Sequence, residues 1–538
     1  NNEDFNKFME KGKKGRTMNK VLKGLVAVAA TAAMAVAGFA GASTAMADDP
    51  TGGIAVEAND THTYSVYQIF TGTYGSDGSL GNVAAGQNFK TANGAGDGGT
   101  NLSAADAAKK VAGLESSASD SMKLETINKF VDLTGDAYGT VSAAAQLSKV
   151  PAGYYLAKDK DTVTGNDAAT LYIVKVVGNE VVTIARKADK PTFEKKVQDA
   201  NDSEGTTTGW QDSADYDVND TVPFKLTATL PTDKDDFAAY KTYKLVFKDT
   251  QSAGLTYPEA SGFIVKYEET VVPASQYTLT LNPTTTTADS TFTLTINDVK
   301  SLTDSEGQAI AVAEGGKFTV EYASTLNKNA VIGSAGNPNE AKLEYSNNPN
   351  YTGDGAGSPT GETPKDKVIV FTYQLNVNKT FDQGDPAESD MPKFTLYKKY
   401  KNGESEEWNK VGKEIALTRG GTEGHFTYTG SFSRIDDGEY KLVETHTPAG
   451  YNTAADTLFT ITADHDVLSD NPALTSLKIN QTDGDKTNGT VQADVVNKKG
   501  SNLPSTGGMG TVLLYVAGIA VFVLAGATLV MALRRRNA

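Results

Sequence analysis

The chain contains no cysteine. Exported proteins often reinforce themselves with disulfides, and this one cannot, so any covalent reinforcement has to use another chemistry. Positive charge is also in short supply. Fifty Lys and Arg against 66 Asp and Glu leave a formal net charge of -16, which argues against nucleic acid or anionic lipid as a partner. Histidine is scarce: His62, His425, His446 and His465 are dispersed and show no metal-ligand spacing, so neither metal nor cofactor is expected. There is no phosphate-binding glycine loop, no nucleophile elbow and no short solenoid-type repeat. Asp/Gly turns such as Asp77-Gly78 and Gly353-Asp354-Gly355 read as solvated turns rather than calcium loops. Enzyme chemistry therefore finds no residues to work with.

Long apolar runs are confined to the two ends. Leu503-Pro504-Ser505-Thr506-Gly507-Gly508 precedes an apolar run over 511–533 and then Arg534-Arg535-Arg536. A run of that length spans a bilayer as a helix, with the basic tail left on the cytoplasmic side. At the other end, Lys20 and Lys23 precede an apolar stretch reaching about Ala40, and Ala45-Met46-Ala47 carries the small-x-small pattern of signal peptidase sites. Cleavage after Ala47 makes Asp48 the expected mature N-terminus, with Met18 as initiator. Residues 503–508 resemble the LPxTG sorting signal of Gram-positive surface proteins. That resemblance implies cleavage between Thr506 and Gly507 by a sortase, loss of 507–538, and acyl transfer from Thr506 to an amine; Leu503 and Pro504 complete the recognition element.

The mature region of roughly 460 residues is too long for a single core. Patterning divides it into residues 48–188, 189–372 and 373–498, between an extension with signal peptide at 1–47 and a sorting segment at 499–538. The first region has strand-like runs at 63–70 (TYSVYQIF), around Tyr154 and over 171–184, with a helical insert expected over about 103–147. The second and third alternate apolar and polar residues, as in 222–230 and 292–296, and 347–366 reads as a loop. The fold expected is mainly β: tandem immunoglobulin-like (Cna-type) sandwiches, with a helical insert in the N-terminal domain.

Alternation places charged groups where a core should be. In the third region Val377, Lys379 and Phe381 share a face; so do Tyr440, Leu442 and Glu444, and likewise Val491, Ala493, Val495 and Asn497. A buried unpaired charge is expensive, so these groups need a reason to be together. The segment 440–451 (YKLVETHTPAGY) resembles the YxLxETxxPxGY box of collagen-adhesin B-type (Cna-B) domains in sortase-assembled pilins, and 376–381 and 495–499 resemble their first and last strands. In that family a lysine amine displaces ammonia from an asparagine side chain. The resemblance implies Lys379 as nucleophile, Asn497 as acyl donor and Glu444 as assisting acid. Burial favours the neutral amine and the neutral carboxyl, which could then donate to the amide oxygen and shuttle protons.

The second region repeats the layout more weakly. Phe193, Lys195 and Val197 are in phase, as are Tyr243, Leu245, Phe247 and Asp249, and Asn339, Ala341, Leu343 and Tyr345. A Lys195–Asn339 bond assisted by Asp249 is expected by similarity to the middle domains of multi-domain pilins. Asn327, Asn337 and Asn347 remain alternatives for the donor. In the first region Lys158 stands where the box would have its acid, so no isopeptide bond is expected there. An acceptor lysine for polymerisation is expected at Lys187, with Lys190 second, although the usual Tyr-Pro-Lys-Asn context is missing.

The resemblance to backbone subunits of Gram-positive pili implies a cell-wall-anchored surface pilus and a list of partners. These are a pilin sortase, a housekeeping sortase with peptidoglycan, further copies of the chain and minor pilins. The competing reading is a monomeric wall-anchored adhesin or minor pilin that binds a host glycan or matrix protein.

Overall fold

A computed structural model describes residues 52–499, apart from 77, 91–101, 115–119, 161–162, 171, 187 and 284–287. The signal-peptide site at Ala47 and Asp48, the acceptor Lys187, the sorting residues Leu503, Pro504, Thr506 and Gly507, and the apolar run 511–533 lie outside the described residues. Among the described residues no helix is long and apolar enough to cross a membrane.

The chain builds β-sandwiches in series. In the N-terminal region the strand Thr63–Tyr74 pairs with Gly153–Asp159, Leu80–Ala85 and Gly139–Ser142. A smaller sheet is made by Gly52–Val56 between Leu147–Val150 and Val181–Ile184, the last pairing being parallel. The helical insert is shorter than the sequence suggests. Helices run over Ala104–Ala112 and Asp120–Ile127, and the chain is back in strand at Gly139–Ser142. Alanine-rich composition extends past Phe130, but residues 139–142 (GTVS) have no apolar helical face and Val141 is buried in the sheet instead. The first helix starts at Ser103, whose hydroxyl accepts from the backbone of Asp106.

The middle sandwich stacks a seven-stranded sheet on a six-stranded one. Thr221–Thr229, Lys317–Leu326 and Ser290–Ile296 alternate buried and half-buried residues with period two, so Phe224, Val320 and Phe292 meet in one core. The loop expected at 347–366 holds one short strand, Thr360–Glu362, pairing with Asn337–Ser346.

The C-terminal sandwich packs a four-stranded sheet on a six-stranded one. Its first strand, Tyr373–Phe381, lies between His425–Ile435 and the last strand, Thr490–Asn497; the pairing with the last strand is parallel. Parallel pairing of first and last strands sends the chain in at one end of the domain and out at the other.

The middle and C-terminal domains meet through charge. Lys398, on Lys393–Asn402, is fully buried and bonds Asp202 and Asp217 of the middle domain, each at 2.9 Å, together with Asp436 of its own domain. Ion pairs of this kind depend on complete pairing, because stripping one partner strands the others in a low dielectric.

Candidate functional site

Period-two burial brings the three predicted C-terminal residues together. Lys379, Glu444 and Asn497 are 1%, 6% and 0% exposed. Lys379 and Asn497 come from adjacent strands of one sheet, and Glu444 reaches in from Gly438–His446 in the opposing sheet. The Lys379 amine donates to Asn497 Oδ1 and lies 3.4 Å from Glu444 Oε1. Asn497 Nδ2 donates to Glu444 Oε1 at 2.8 Å, and the other carboxyl oxygen accepts from the backbone of Ala454 at 2.7 Å. Phe381 and Phe394 flank the amine, with ring centroids 5.7 and 5.6 Å away. Burial pulls the Lys379 amine down to about 8, against the opposing pull of Glu444. The sequence reading has the acid donating to the amide oxygen; the structure pairs it with the amide nitrogen. That nitrogen is the atom a transamidation would release.

The middle domain assembles a second cluster by a different route. Lys195 is on Thr192–Val197 at the edge of one sheet, whereas Asp249 and Asn339 are on the neighbouring strands Leu245–Gln251 and Asn337–Ser346 of the other. All three are buried. The Lys195 amine donates to Asp249 Oδ2 at 2.5 Å and to the Tyr322 hydroxyl at 2.9 Å. Tyr322 donates to Asp249 Oδ2 at 3.1 Å and accepts from Asn339 Nδ2 at 2.9 Å. A phenol has one proton and two lone pairs, so this hydroxyl is fully used. Asn339 Oδ1 is left without a hydrogen-bond partner among the described residues. Burial pushes Lys195 below its ordinary range against the charge of Asp249, and burial pushes the Tyr322 and Tyr257 hydroxyls up. Tyr257 completes the surroundings, donating to Asp249 Oδ1 at 2.7 Å.

The alternative donors have other commitments. Asn337 bonds Val331 through both its oxygen and its nitrogen, and Val370 through its nitrogen. Asn327 bonds Ala253 and Thr256 in a turn. Asn347, in phase with Asn339, is drawn to the N-terminal domain, bonding the carbonyl of Val163 at 3.3 Å. Only Asn339 shares a cluster with Lys195.

Tyr322 escaped the sequence reading. It alternates with Phe318 and Val320, so it reads as ordinary core; the available signal was that a phenol buried among phenylalanines must find a polar partner. In the N-terminal domain Lys158 is half-buried on Gly153–Asp159 opposite Ser65 and belongs to no such cluster. Lys190 is half-buried, its amine donating to the carbonyl of Asn166 at 2.8 Å.

Residues 218–349 match the family model for "Gram-positive pilin backbone subunit 2, Cna-B-like domain". The trypsin-resistant surface T6 protein of Streptococcus pyogenes serotype M6 is 25% identical over 278 residues, covering 41% of this chain and 48% of that protein. The chain thus spans about half the length of the curated relative it matches. The solved T6 backbone pilin of serotype M6 Streptococcus pyogenes has 17% identity and a TM-score of 0.46, covering 84% of this chain and 98% of its own. The full-length major pilin SpaD from Corynebacterium diphtheriae has 16% identity and a TM-score of 0.43, covering 84% and 94%. The sequence box pointed to the C-terminal sandwich, whereas the family match falls on the middle one. By that match, residues 218–349 are similar to the Cna-B-like domain of Gram-positive pilin backbone subunits.

Proposed function

We propose that the chain is a backbone subunit of a covalent Gram-positive surface pilus, stitched internally by Lys379–Asn497 and Lys195–Asn339 isopeptide bonds and joined to its neighbours through Thr506. The observation that carries this reading is the Lys379–Glu444–Asn497 cluster, in which amine, carboxyl and amide are buried in mutual contact. In each reaction the neutral lysine nitrogen bonds to the asparagine Cγ, the Cγ–Nδ2 bond breaks, and Nδ2 leaves as ammonia with one proton from the amine, the other staying as the N–H of the new amide. Glu444 contacts the departing nitrogen and carries protons to it; Asp249, with Tyr322, serves Lys195 and Asn339.

Mechanics explains the use of such a bond. Tension enters the C-terminal domain along Tyr373–Phe381 and leaves after Asn497. A Lys379–Asn497 link takes residues 380–496 out of the loaded path. By analogy with disulfide loop closure it also contributes about 4–5 kcal/mol for partners 118 residues apart. The middle bond spans two sheets and leaves the segment after Asn339 under load.

Assembly then requires a pilin sortase, other copies of the chain and, at the cell wall, a housekeeping sortase with peptidoglycan. Co-expression with the pilin sortase should yield a high-mass ladder that survives boiling in detergent and collapses for Lys187→Ala. A single wall-linked band in the unmodified strain contradicts polymerisation.

A further inference from the structure

His465 ends the strand Thr457–His465 of the C-terminal domain, and the loop that follows it docks on the middle domain. The backbone of Asp212 donates to the carbonyl of Val467, and Asp212 Oδ2 accepts from the backbone of Ser469. This brings His465 against two carboxylates of the middle domain. His465 Nε2 is 3.6 Å from Asp199 Oδ2 and 3.9 Å from Asp215 Oδ1. Both separations exceed hydrogen-bond length. Their side chains are 7%, 16% and 4% exposed respectively, so the group is enclosed but reachable past Asp199.

Proton bookkeeping fixes what the imidazole presents. Ser213 Oγ is 2.7 Å from His465 Nδ1 and donates its single proton to the carbonyl of Asp466 at 2.5 Å. The serine therefore accepts from Nδ1–H, and Nε2 is the imidazole atom that faces the two carboxylates. One imidazole nitrogen and two carboxyl oxygens, drawn from two domains, converge on one point. Asp215 Oδ2, buried in the same group, makes no hydrogen bond of full geometry among the described residues, the Tyr373 hydroxyl standing beside its carboxyl. Such a constellation wants a cation at its centre. Ligands around one tetrahedral ion at about 2.0–2.2 Å lie about 3.3–3.6 Å from one another, close to the 3.6 and 3.9 Å that separate His465 Nε2 from the two carboxyls, and all three atoms lie within 4.8 Å of one another. The serine-histidine-aspartate set is not a hydrolytic triad: Ser213 is fully buried and its proton is already engaged.

We propose that Asp199, Asp215 and His465 bind a divalent transition-metal ion, of the zinc or manganese class, that clips the middle domain to the C-terminal domain. One imidazole with two carboxylates suits those ions better than calcium or magnesium, which prefer oxygen alone. The Nδ1–H to Ser213 contact orients the ring from behind, as outer-shell partners of metal-bound imidazoles do. The clip would act where a sandwich without sulfur has only noncovalent contacts to its neighbour.

The test uses the mature chain, stripped with chelator, dialysed against zinc and then metal-free buffer, with metal counted by mass spectrometry. One zinc per chain is expected, falling to none for His465→Gln and for Asp215→Asn, and zinc should raise the melting temperature of the unmodified chain alone. Asp199→Asn, at the partly open side, should weaken binding at least tenfold while circular dichroism stays unchanged, which separates lost ligation from lost folding. Nitrogen-15 spectra of the imidazole should show Nδ1 carrying its proton and the Nε2 signal moving with zinc. Zinc retained by His465→Gln, no zinc in the unmodified chain, or a doubly protonated imidazole indifferent to zinc would each overturn the proposal.

Discussion

Lys379 reaches Asn497 on the diagonal. Its Cα partner across the parallel ladder is Val495, and Asn497 stands opposite Phe381. A lysine leaning along its strand covers that one same-face step, two residues along, and a shorter side chain would not. Lys379→Ala therefore cannot be compensated by a neighbour: every other residue on that face of the strand is apolar.

Glu444 is expected to be required for the C-terminal bond and dispensable for the middle one. Glu444→Gln keeps the shape and the contact with Asn497 but cannot carry protons. Corrected for the substitution, its mass should rise by about 17 Da, one retained ammonia. Denaturant melts should show a loss of about 4–5 kcal/mol from the C-terminal transition. An unchanged mass would remove Glu444 from the chemistry.

Tyr322→Phe tests the bridge in the middle domain. Loss of the hydroxyl leaves Lys195, Asn339 and Asp249 each one partner short, a cost of about 1–3 kcal/mol for each group left unsatisfied. The Lys195–Asn339 bond should form slowly or incompletely, giving two species about 17 Da apart. Complete bond formation at the normal rate would reduce Tyr322 to packing.

The donor in the middle domain is separable by paired substitutions. Asn339→Ala should abolish the ammonia-sized mass deficit of the middle domain, whereas Asn337→Ala should destabilise the 331–337 turn and leave the bond intact. Peptide mapping distinguishes the two, and a bond mapped to Asn337 would contradict the assignment.

The middle/C-terminal junction should be more stable in mild acid than in mild alkali. Asp220 is raised to about 7 by burial and then by Asp217 and Asp202, with Lys398 opposing. Asp437 is raised to about 6 by burial and then Asp199, with Lys398 and His465 opposing and Glu204 adding to the rise. Asp217, Asp215 and Asp436 are raised as well, chiefly by burial. A carboxyl whose folded pKa lies above its ordinary 3.8 takes up a proton on folding. Its contribution is therefore complete below about 4 and lost as pH rises through about 6 to 7. Lys398 is raised, despite its burial, by Asp436, Asp217 and Asp202, and it keeps its charge throughout that window. Calorimetry of metal-free protein should give a higher melting temperature at pH 5 than at pH 8, and the reverse order would contradict this. Lys398→Met, which strands the carboxylates, should cost about 3–5 kcal/mol at pH 8.

What could be read from the sequence followed periodicity. Lys379, Glu444 and Asn497 were legible because each shares a strand face with apolar neighbours, and the structure buries all three. Asn339 was in phase but not unique; only tertiary contacts separate it from Asn347, which the N-terminal domain claims. The strand Gly52–Val56 was missed because its two glycines weaken the strand pattern. At both, a Cβ would meet backbone oxygens at 2.2 and 2.8 Å, so close strand approach is the reason for them. The junction group was invisible for a simpler reason. Asp199, Asp215 and His465 belong to different domains, and no local spacing records which loop docks on which sandwich.

The central claim is that buried amines in this chain have become amides. Tandem mass spectrometry of a protease digest of residues 48–506 should recover one branched peptide joining Lys379 to Asn497 and another joining Lys195 to Asn339, with the intact chain about 34 Da below its calculated mass. Recovery of Lys379 and Asn497 on separate, unmodified peptides from folded protein of full calculated mass would contradict the account.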